Sequence, residues 1–439
     1  MPMPADRLPG IGCCPSDCVR MCSVLHGGKV PAMANGAGVP ASLELLDPGF
    51  RVNSVAVRAA AAQHWYANTP LGPAILTYDD CVALQQHKGL GQAGADHLSA
   101  QGITAGPVAE TWAAFLLNIN GPHHARLRRI VAPAFNSTAI GRLRPRMRSI
   151  VDQLVDEFSA RGRCEFMSEF ADRYPPRVMF DLLGIPTVEH EQFLDWGNDL
   201  AYLLSYDMAA QADRVAAAIA GIGDVTDRLC AERQAAPGAD LLSTLVAARG
   251  DELLTQAEIR TMVVTLVIGG QDSTRHQLGL GMATFAEYPD QWALLAQRPE
   301  LSAAATEEIL RFNSTAPIMW RRADIDVDYR DLHIPAGTRL WLFLGLAHRE
   351  SGAAGVDDPF DIAAEHRPFL GFGHGPHFCL GAGLARLEMT EALSILARRL
   401  PGLALDGPGE YRPELAGFVG PERLPIRFTP TSPSEVSGR

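Results

Sequence analysis

The chain has 439 residues, 47% of them hydrophobic and 20% charged, so it has the length and composition to bury a large core. Its formal net charge of -12 argues against nucleic acid as a partner, because phosphate backbones bind basic surfaces. It contains no run of about 18 apolar residues, so we expect no membrane insertion. Residues 1–30 lack the charged start and apolar stretch of a signal peptide, and we therefore predict a cytoplasmic protein.

Four cysteines stand close together near the start of the sequence: Cys13, Cys14, Cys18 and Cys22. Such thiols can bind zinc or an iron–sulfur cluster, but their spacing fits neither site well. The Pro, Gly and Ala content up to about residue 40 favours disorder. We predict a flexible N-terminal extension over residues 1–40, one large domain over 41–430 and a C-terminal tail over 431–439. An over-extended start, with Met21 or Met33 as the first residue, is the alternative.

From His124 onward most of the sequence has apolar residues three and four positions apart, which is typical of helices. Before it, residues 41–80 predict a short helix and a small sheet, and the Gly- and Gln-rich residues 85–118 predict a mobile loop. The helical segments are Leu143–Phe158, Met167–Leu183, one that begins near Pro186, and Tyr202–Gln234, for which we predict a break near Gly221–Gly223.

One long helix is predicted from Gln256 to Tyr288. Thr255 and Glu258 have the spacing of a capping box, in which each side chain satisfies a free N–H of the first turn. Pro289 marks the other end, because a helix rarely continues through the residue before proline. Residues 324–343 alternate in strand fashion about a Pro-Ala-Gly turn, and residues 415–428 predict a terminal hairpin. The fold class is therefore mostly α with a minor β region.

The segment from Phe372 to Gly381, with the sequence FGHGPHFCLG, places Cys379 in a glycine-rich loop just before a helical run. Glycine permits backbone angles and close approaches that a Cβ forbids. Backbone N–H groups at the start of the next helix can stabilise a thiolate, and Phe372 can shield it from water. These features present a thiolate to a metal. A buried, inert cysteine in a turn is the alternative.

The spacing Phe-Gly-x-Gly-x-His-x-Cys-x-Gly resembles the heme-ligand loop of the cytochrome P450 family, and the resemblance covers residues 41–430. It implies a single large heme-binding domain with the cytochrome P450 fold, in which Cys379 binds the iron of heme b (iron protoporphyrin IX). A thiolate ligand favours O–O cleavage. The expected activity is that of a monooxygenase which activates dioxygen and oxidises, most simply hydroxylates, a hydrophobic small molecule from natural-product biosynthesis or catabolism.

A six-residue stretch of the long helix resembles the family's oxygen-activation motif: Gly269, Gly270, Gln271, Asp272, Ser273 and Thr274. The two glycines would let the helix pass close to the heme and dioxygen. By resemblance, Asp272 is the acid and Ser273 the hydroxyl of a proton relay. The family more often has threonine at that position, and Thr274 is the adjacent alternative. If the motif has no such role, the glycines serve close packing and Asp272 is solvated.

The helix that begins near Pro122 resembles the family's His-x-x-x-Arg helix. His124 and Arg128 are four residues apart and share a face, which would bind the heme propionates. Arg126 and Arg129 face elsewhere and are candidates for contact with an acidic redox partner. A plain basic surface helix is the alternative.

Two later residues also match propionate ligands of the family. Arg321 is the first, with Arg322 as the alternative, because a one-residue slip in a strand reverses the face. His377, two residues before the cysteine, is the second, and a satisfied core histidine is its alternative.

Glu308 and Arg311 are three residues apart on one helix and resemble the family's Glu-x-x-Arg pair, a buried structural ion pair that supports the heme loop. An exposed pair of this kind contributes little. The family usually adds a third arginine before the cysteine loop, but the matching places hold proline and alanine here. Arg367 and His366 are the candidate replacements.

The resemblance also implies partners: dioxygen, and electrons from a separate ferredoxin and ferredoxin reductase. Three alternatives stay open. The first is a family member that catalyses coupling, dealkylation or desaturation, which the serine in the oxygen motif favours. The second is a peroxygenase that uses hydrogen peroxide. The third is a non-enzymatic heme sensor or binding module.

Overall fold

The computed structural model describes residues 40–432, except 48, 93, 95, 100, 206–207, 251–252, 350–358 and 413–416. The predicted N-terminal extension before residue 40, with its four cysteines, and the tail after residue 432 lie outside the described residues. Within the described part the chain is mostly helical with small sheets, as the sequence predicts.

The helices follow one another through most of the chain. They are α1 Val55–Ala61, α2 Tyr78–Gln85, α3 Asp96–Ser99, α4 Pro107–Ala113, α5 Gly121–Val131, α6 Ser137–Gly141, α7 Arg144–Asp156, α8 Tyr174–Leu183, α9 His190–Leu200, α10 Met208–Ala235, α11 Leu241–Gly250, α12 Gln256–Glu287, α13 Pro289–Gln297, α14 Ser302–Phe312, α15 Leu344–Ala347 and α16 Ala382–Arg399. In the described ranges, no helix is both long and apolar enough to cross a bilayer.

The long helix α12 has the ends that its sequence predicts. The Thr255 hydroxyl accepts a hydrogen bond from the Glu258 N–H at 3.2 Å, and the Glu258 carboxylate accepts one from the Thr255 N–H at 2.8 Å. This is the predicted capping box. The helix stops at Glu287, just before Pro289. Between residues 271 and 285 every side chain except Ser273 is buried, as expected for a helix that is enclosed on all sides.

The strands are short and form small sheets. They are β1 Tyr66–Ala67, β2 Ala74–Ile75, β3 Leu90–Gly91, β4 Arg163–Glu165, β5 Met319–Ala323, β6 Val327–Tyr329, β7 Leu332–Ile334, β8 Arg339–Leu342, β9 Ala404–Leu405, β10 Glu410–Tyr411, β11 Pro421–Arg423 and β12 Pro425–Arg427. The largest sheet has the order β1-β2-β8-β5-β3, in which only the β2–β8 pair is parallel. Strands β6 to β8 confirm the strand pattern predicted for residues 324–343.

The predicted terminal hairpin is wrong. Strand β11 pairs with β10, whereas β12 lies between β4 and β9 in another sheet. Only Leu424 separates the two strands, which is too short a connection for a hairpin turn. Its side chain is fully buried, and its N–H donates to the Glu165 carboxylate at 2.6 Å. The chain therefore passes from one sheet to the next at this residue.

Two other predictions about connections are also wrong. Helix α10 has no break at Gly221–Gly223. A Cβ on Gly221 would lie 2.3 Å from the ring of Trp196 in α9, so this glycine gives room to an indole and does not form a turn. Residues 85–118 are not one loop, because they contain β3, α3 and α4. Trp112 and Phe115 bury their rings in the main core and hold this segment against it.

Candidate functional site

Cys379 lies on a tight loop directly in front of α16. Gly373 and Gly375 have φ angles of 71° and 70°, in the left-handed region that favours glycine. One 3-10 turn follows, and the Cys379 N–H donates to the Phe372 carbonyl at 2.8 Å. Because α16 begins at Ala382, the thiol stands at the N-terminus of a helix, and it is exposed to a cavity that it lines. The loop therefore presents the thiol as its glycine pattern predicts.

The surroundings of the Cys379 thiol contain groups that stabilise a thiolate. Burial raises the pKa of this thiol, whereas the N–H groups of Gly381 and Ala382 and the charges of Arg128 and Arg386 act to lower it. A metal ion bound to the sulfur would complete its deprotonation. The other free cysteines among the described residues are Cys81, Cys164 and Cys230, and none of them lines this cavity.

The cavity extends between the central helix and the helix that follows the cysteine loop. On the side of α12 it is lined by Thr265, Leu266, Gly269, Gly270, Ser273 and Thr274, and on the side of α16 by Leu384, Ala385 and Glu388. His124 and Arg128 of α5 line it near the cysteine loop, together with Phe372 and His377. The ring of Phe372 lies beside the thiol loop and is covered by the Arg386 guanidinium, 4.5 Å from its centroid.

Imidazole and guanidinium groups cluster where the cavity meets the cysteine loop. The rings of His124 and His377 are 4.2 Å apart, and Arg128 donates a hydrogen bond to the Phe378 carbonyl. Burial and the positive neighbours His124, Arg321 and Arg128 lower the pKa of His377 to about 4. Burial and the charge of Arg128 also lower the pKa of His124. The positive field at this end of the cavity therefore comes from the guanidinium groups of Arg128 and Arg321, and it attracts an anion.

Two of these groups lack a counter-charge within the described residues. Arg321 is only 4% exposed, its guanidinium reaches an amide and a carbonyl oxygen but no carboxylate, and burial lowers its pKa to about 10. The buried Nε2 of His124 has no hydrogen-bond partner. A buried guanidinium without a carboxylate, or a buried ring nitrogen without a hydrogen bond, lowers the stability of the folded protein unless an anion binds to it. The two carboxylates of a heme fit them. The alternative Arg322 instead lies near Asp324, toward solvent.

The two glycines of α12 have different surroundings. A Cβ on Gly269 would meet nothing within 4 Å, so this glycine leaves the cavity open. A Cβ on Gly270 would lie 2.4 Å from the end of Met179, so this glycine gives room to a side chain of α8. Ser273 and Thr274 both line the cavity, and the Ser273 hydroxyl lies 3.5 Å from the Gly269 carbonyl. Both predicted hydroxyls therefore reach the cavity.

Asp272 is adjacent to these hydroxyls in sequence, but it does not line the cavity. Its carboxylate is 2% exposed and accepts from Arg412 at 2.9 and 3.1 Å and from Arg275 at 3.1 Å. The His276 ring nitrogen is 3.4 Å away. Burial alone would raise the pKa of Asp272, but these neighbours outweigh it and hold the pKa well below its usual range. The alternative of a solvated Asp272 is therefore wrong.

Glu308 and Arg311 form the buried ion pair that the sequence predicts. Their side chains are 1% and 3% exposed, and the guanidinium donates to both carboxylate oxygens at 2.6 and 2.8 Å. Arg311 also donates to the His348 carbonyl at 3.1 Å. Of the two candidates for a third member, His366 contacts the cluster, with its Nε2 3.0 Å from Glu308. Arg367 instead pairs with Asp79 at the surface.

Arg126 was predicted to face a redox partner, and the structure does not support this. Its guanidinium donates to the Glu258 carboxylate and to the Leu253 carbonyl, so it ties α5 to the start of α12. Arg129 is exposed on α5 and keeps the predicted orientation.

The sequence analysis did not single out two residues of this region. Glu388 is an acid on the face of α16 that lines the cavity, and its helical spacing from Leu384 and Ala385 is the signal that could have revealed it. Arg412 binds Asp272 from the β10–β11 sheet. No local pattern indicates that contact, because it joins distant parts of the chain.

The fold and the site together define a class of protein. A mostly helical chain encloses a cavity that offers one thiol at a helix N-terminus, a set of cations for carboxylates, and hydroxyls on a central helix. This is the arrangement of a heme-thiolate oxidoreductase.

Comparisons with known proteins identify the family. The cytochrome P450 family model matches residues 290–400. The chain is 36% identical to luteothin monooxygenase of Streptomyces thioluteus, over 88% of this chain and 95% of that protein. It is 35% identical to mycinamicin IV hydroxylase/epoxidase of Micromonospora griseorubida, over 71% and 79%. The solved structure of CalO2 has a TM-score of 0.79 and 30% identity, and covers 87% of this chain and 99% of its own.

The chain therefore belongs to the cytochrome P450 family. It is a bacterial P450 monooxygenase, an oxidoreductase whose cofactor is heme b, with activity toward hydrophobic or natural-product substrates.

Proposed function

We propose that this P450 hydroxylates a hydrophobic intermediate of natural-product biosynthesis, with Cys379 as the iron ligand. The observation that carries the proposal is that Cys379, Ser273 and Thr274 line one cavity, near Arg321 and His124, which contact no carboxylate among the described residues. The relatives named for luteothin and mycinamicin IV support a natural product as the substrate. The apolar side chains that line much of the cavity support a hydrophobic one.

Each residue of the site has a proposed task. Arg128, Arg321, His124 and His377 would bind the heme carboxylates, and the buried Glu308–Arg311 pair supports the segment before the cysteine loop. Gly269 keeps its part of the cavity wall free of a side chain. When bound, the heme supplies the chemistry of dioxygen activation, in which one oxygen atom enters the substrate and the other leaves as water. The hydroxyls of Ser273 and Thr274 hold protons at the cavity wall, and Asp272 fixes the turn of α12 that carries them.

We further propose that a ferredoxin, reduced by a ferredoxin reductase, supplies the two electrons of each turnover. Exposed Arg129 lies on the same helix as the proposed propionate ligands, on a face where an acidic carrier can dock. We also propose a cytoplasmic location, because such carriers are kept reduced there.

A second candidate is a P450 that forms a new bond or desaturates its substrate. The observation that favours it is Ser273, which lacks the methyl group and the χ1 stiffness of threonine. A solved structure named for C–S bond formation in chuangxinmycin biosynthesis is 28% identical to this chain, with a TM-score of 0.74 and 91% of the chain covered.

Spectroscopy and product analysis test the proposal. The reduced protein with carbon monoxide should show the red-shifted Soret band of a thiolate adduct. Replacing Cys379 with serine should abolish this band, whereas Cys230→Ser, at a buried thiol away from the cavity, should leave it unchanged. A panel of hydrophobic natural products is then screened by the low-spin to high-spin absorbance change. A binding compound should gain one labelled oxygen atom from dioxygen. A thiolate band that survives Cys379→Ser contradicts the assignment, and a product without label favours the second candidate.

A further inference from the structure

Leu370 begins a turn that leads into the cysteine loop. Its carbonyl accepts the Gly373 N–H at 2.9 Å, which closes the turn over residues 370–373. The Phe372 carbonyl inside this turn accepts the Cys379 N–H at 2.8 Å. The position of the turn therefore fixes the main chain of the proposed iron ligand, and a group that holds Leu370 in place acts on that ligand as well.

A histidine at the end of α15 holds the start of this turn. The Leu370 N–H donates to Nε2 of His348 at 2.8 Å, and the ring of His348 stacks on Phe369 with 5.0 Å between the ring centroids. Arg311 donates to the His348 carbonyl at 3.1 Å, which fixes the main chain of the histidine. Because His348 is only 7% exposed, its bond to Leu370 is shielded from water.

The same hydrogen bond determines where the His348 ring carries its proton. A main-chain N–H can only donate, so Nε2 has a free lone pair and the ring proton is on Nδ1. Burial and the charge of Arg311 lower the pKa of His348 to about 3, which agrees with a neutral ring. Nδ1 is buried and has no hydrogen-bond partner among the described residues. An unpaired buried donor lowers stability, so packing does not explain this histidine, whereas the acceptor that it offers to Leu370 does.

A glutamine of α2 holds the other end of the turn. Oε1 of Gln85 lies 2.8 Å from Nδ1 of His374, the residue after the turn, and Nε2 of Gln85 lies 3.5 Å from the Leu370 carbonyl. The carbonyl can only accept, so the amide N–H faces it and the amide oxygen accepts from the His374 ring. Gln85 is 6% exposed, although most glutamines are exposed. Two buried polar side chains, from α2 and from the end of α15, therefore hold one turn on both sides.

We propose that His348 and Gln85 are positioning residues of the thiolate centre, which hold the turn over residues 370–373 so that the Cys379 sulfur stays bound to iron and shielded from water. The inference rests on the proposed function, in which Cys379 is the iron ligand. If the turn moves, water reaches the sulfur and donates a hydrogen bond to it. Such a bond stabilises the added negative charge of the reduced state, so the midpoint potential of the heme-loaded protein should rise.

The first test is hydrogen exchange of the heme-loaded protein, followed by mass spectrometry of a peptide that contains Leu370. In His348→Leu the N–H of Leu370 should exchange about tenfold faster, which is the order of the factor for a buried N–H left without an acceptor. His348→Gln places an amide oxygen near the former Nε2 and should restore much of the protection. His190→Leu is the matched control. His190 is also buried, with 6% exposed, and its Nε2 lies 3.1 Å from the Ile185 carbonyl on α9, so the exchange of Leu370 should not change.

The second test measures the thiolate centre itself. In His348→Leu and in Gln85→Leu the midpoint potential should rise by about 59 mV, which is a tenfold change in a one-electron equilibrium. His348→Gln and Gln85→Glu keep an acceptor for Leu370 and for His374, so their potentials should lie between those of the leucine variants and the wild type. His190→Leu should lower the free energy of unfolding and leave the potential unchanged. A purely structural role of His348 would give that same result for His348→Leu.

The outcomes separate this inference from the proposed function. A wild-type protein that shows no thiolate band with carbon monoxide contradicts the proposed function itself. If the wild type shows the band, and His348→Leu equals it in exchange and in potential, the heme site stands and the positioning role fails. If His348→Leu does not retain heme, Gln85→Leu decides, because it loosens only the far end of the turn. A raised potential in that variant supports the role, and a wild-type potential rejects it.

Discussion

Replacing Glu308 with glutamine should cost the folded protein about 3–5 kcal/mol and most of its heme. The carboxylate of Glu308 accepts from Arg311 at 2.6 and 2.8 Å and from the Asp361 N–H at 3.0 Å, and it lies 3.0 Å from the His366 ring. Glutamine keeps the shape but removes the charge, so Arg311, which is 3% exposed, loses the carboxylate that accepts its two hydrogen bonds. Removing one partner of a buried pair costs about 3–5 kcal/mol, or a factor of about 10²–10⁴ in the folding equilibrium.

Heme loss should accompany this destabilisation, because Asp361 and His366 belong to the segment that leads into the cysteine loop. The assay is denaturant unfolding followed by circular dichroism, with heme content measured on the purified protein. The adjacent Glu307 provides the control. It is 47% exposed and pairs with Arg386 at the surface, so Glu307→Gln should cost about 1 kcal/mol or less. Equal, small effects of the two substitutions, with full heme content, would refute the reasoning.

Three further substitutions test other parts of the site and the fold. Arg321→Gln should speed heme transfer to apomyoglobin. The heme-free protein should unfold at the same or a higher denaturant concentration, because a buried cation that contacts no carboxylate in the described part of the chain is removed. Gly221→Ala should lower the free energy of unfolding by about 1–3 kcal/mol, because the new Cβ would lie only 2.3 Å from the Trp196 ring. Gly223→Ala is the control, since the nearest contact of its Cβ is at 3.6 Å, and in a thermal melt this variant should be as stable as the wild type or more stable. Asp272→Asn should keep the CO spectrum and slow product formation, and an unchanged turnover rate would contradict its role.

Local signals in the sequence predict much of the site. Thr255 and Glu258 fix the start of α12 through contacts three residues apart, and the structure contains the predicted capping box. Glu308 and Arg311 likewise meet because they are one turn apart. The glycine pattern around Cys379 predicts a loop that only glycine conformations allow. In each case the interacting groups are close in sequence, so the spacing alone contains the geometry.

The errors and omissions come from contacts between distant parts of the chain. The sequence around Gly221 predicts a helix break, but this glycine instead leaves room for the Trp196 ring of another helix. No local pattern indicates that contact. The sequence predicts that Leu424 belongs to a hairpin. In the structure its side chain is buried, and the two strands that flank it belong to different sheets. The partner of Asp272 is Arg412, and the third contact of Glu308 is His366 rather than Arg367. Tertiary packing decides each of these.

The bond between Asp272 and Arg412 is such a long-range contact, and a double-mutant cycle measures it. Asp272→Asn, Arg412→Gln and the double variant are unfolded in urea at neutral pH. A hydrogen-bonded buried charge pair should give a coupling energy of about 1.5–3 kcal/mol, so the double variant should be less destabilised than the two single effects predict together. Because Arg275 still contacts Asp272, the cost of Arg412→Gln should lie below that of Glu308→Gln.

The pH dependence of the same variants checks the charge state of Asp272. Its pKa is held well below the usual range in the folded protein, so its stabilising contribution is present above the unfolded pKa, about 4, and is lost as the pH falls further. The stability difference between the wild type and Arg412→Gln should therefore stay constant from neutral pH down to about 5 and shrink below about 4. A difference that is already lost by pH 6, or effects that simply add in the cycle, would mean that Arg412 does not hold Asp272 as a carboxylate.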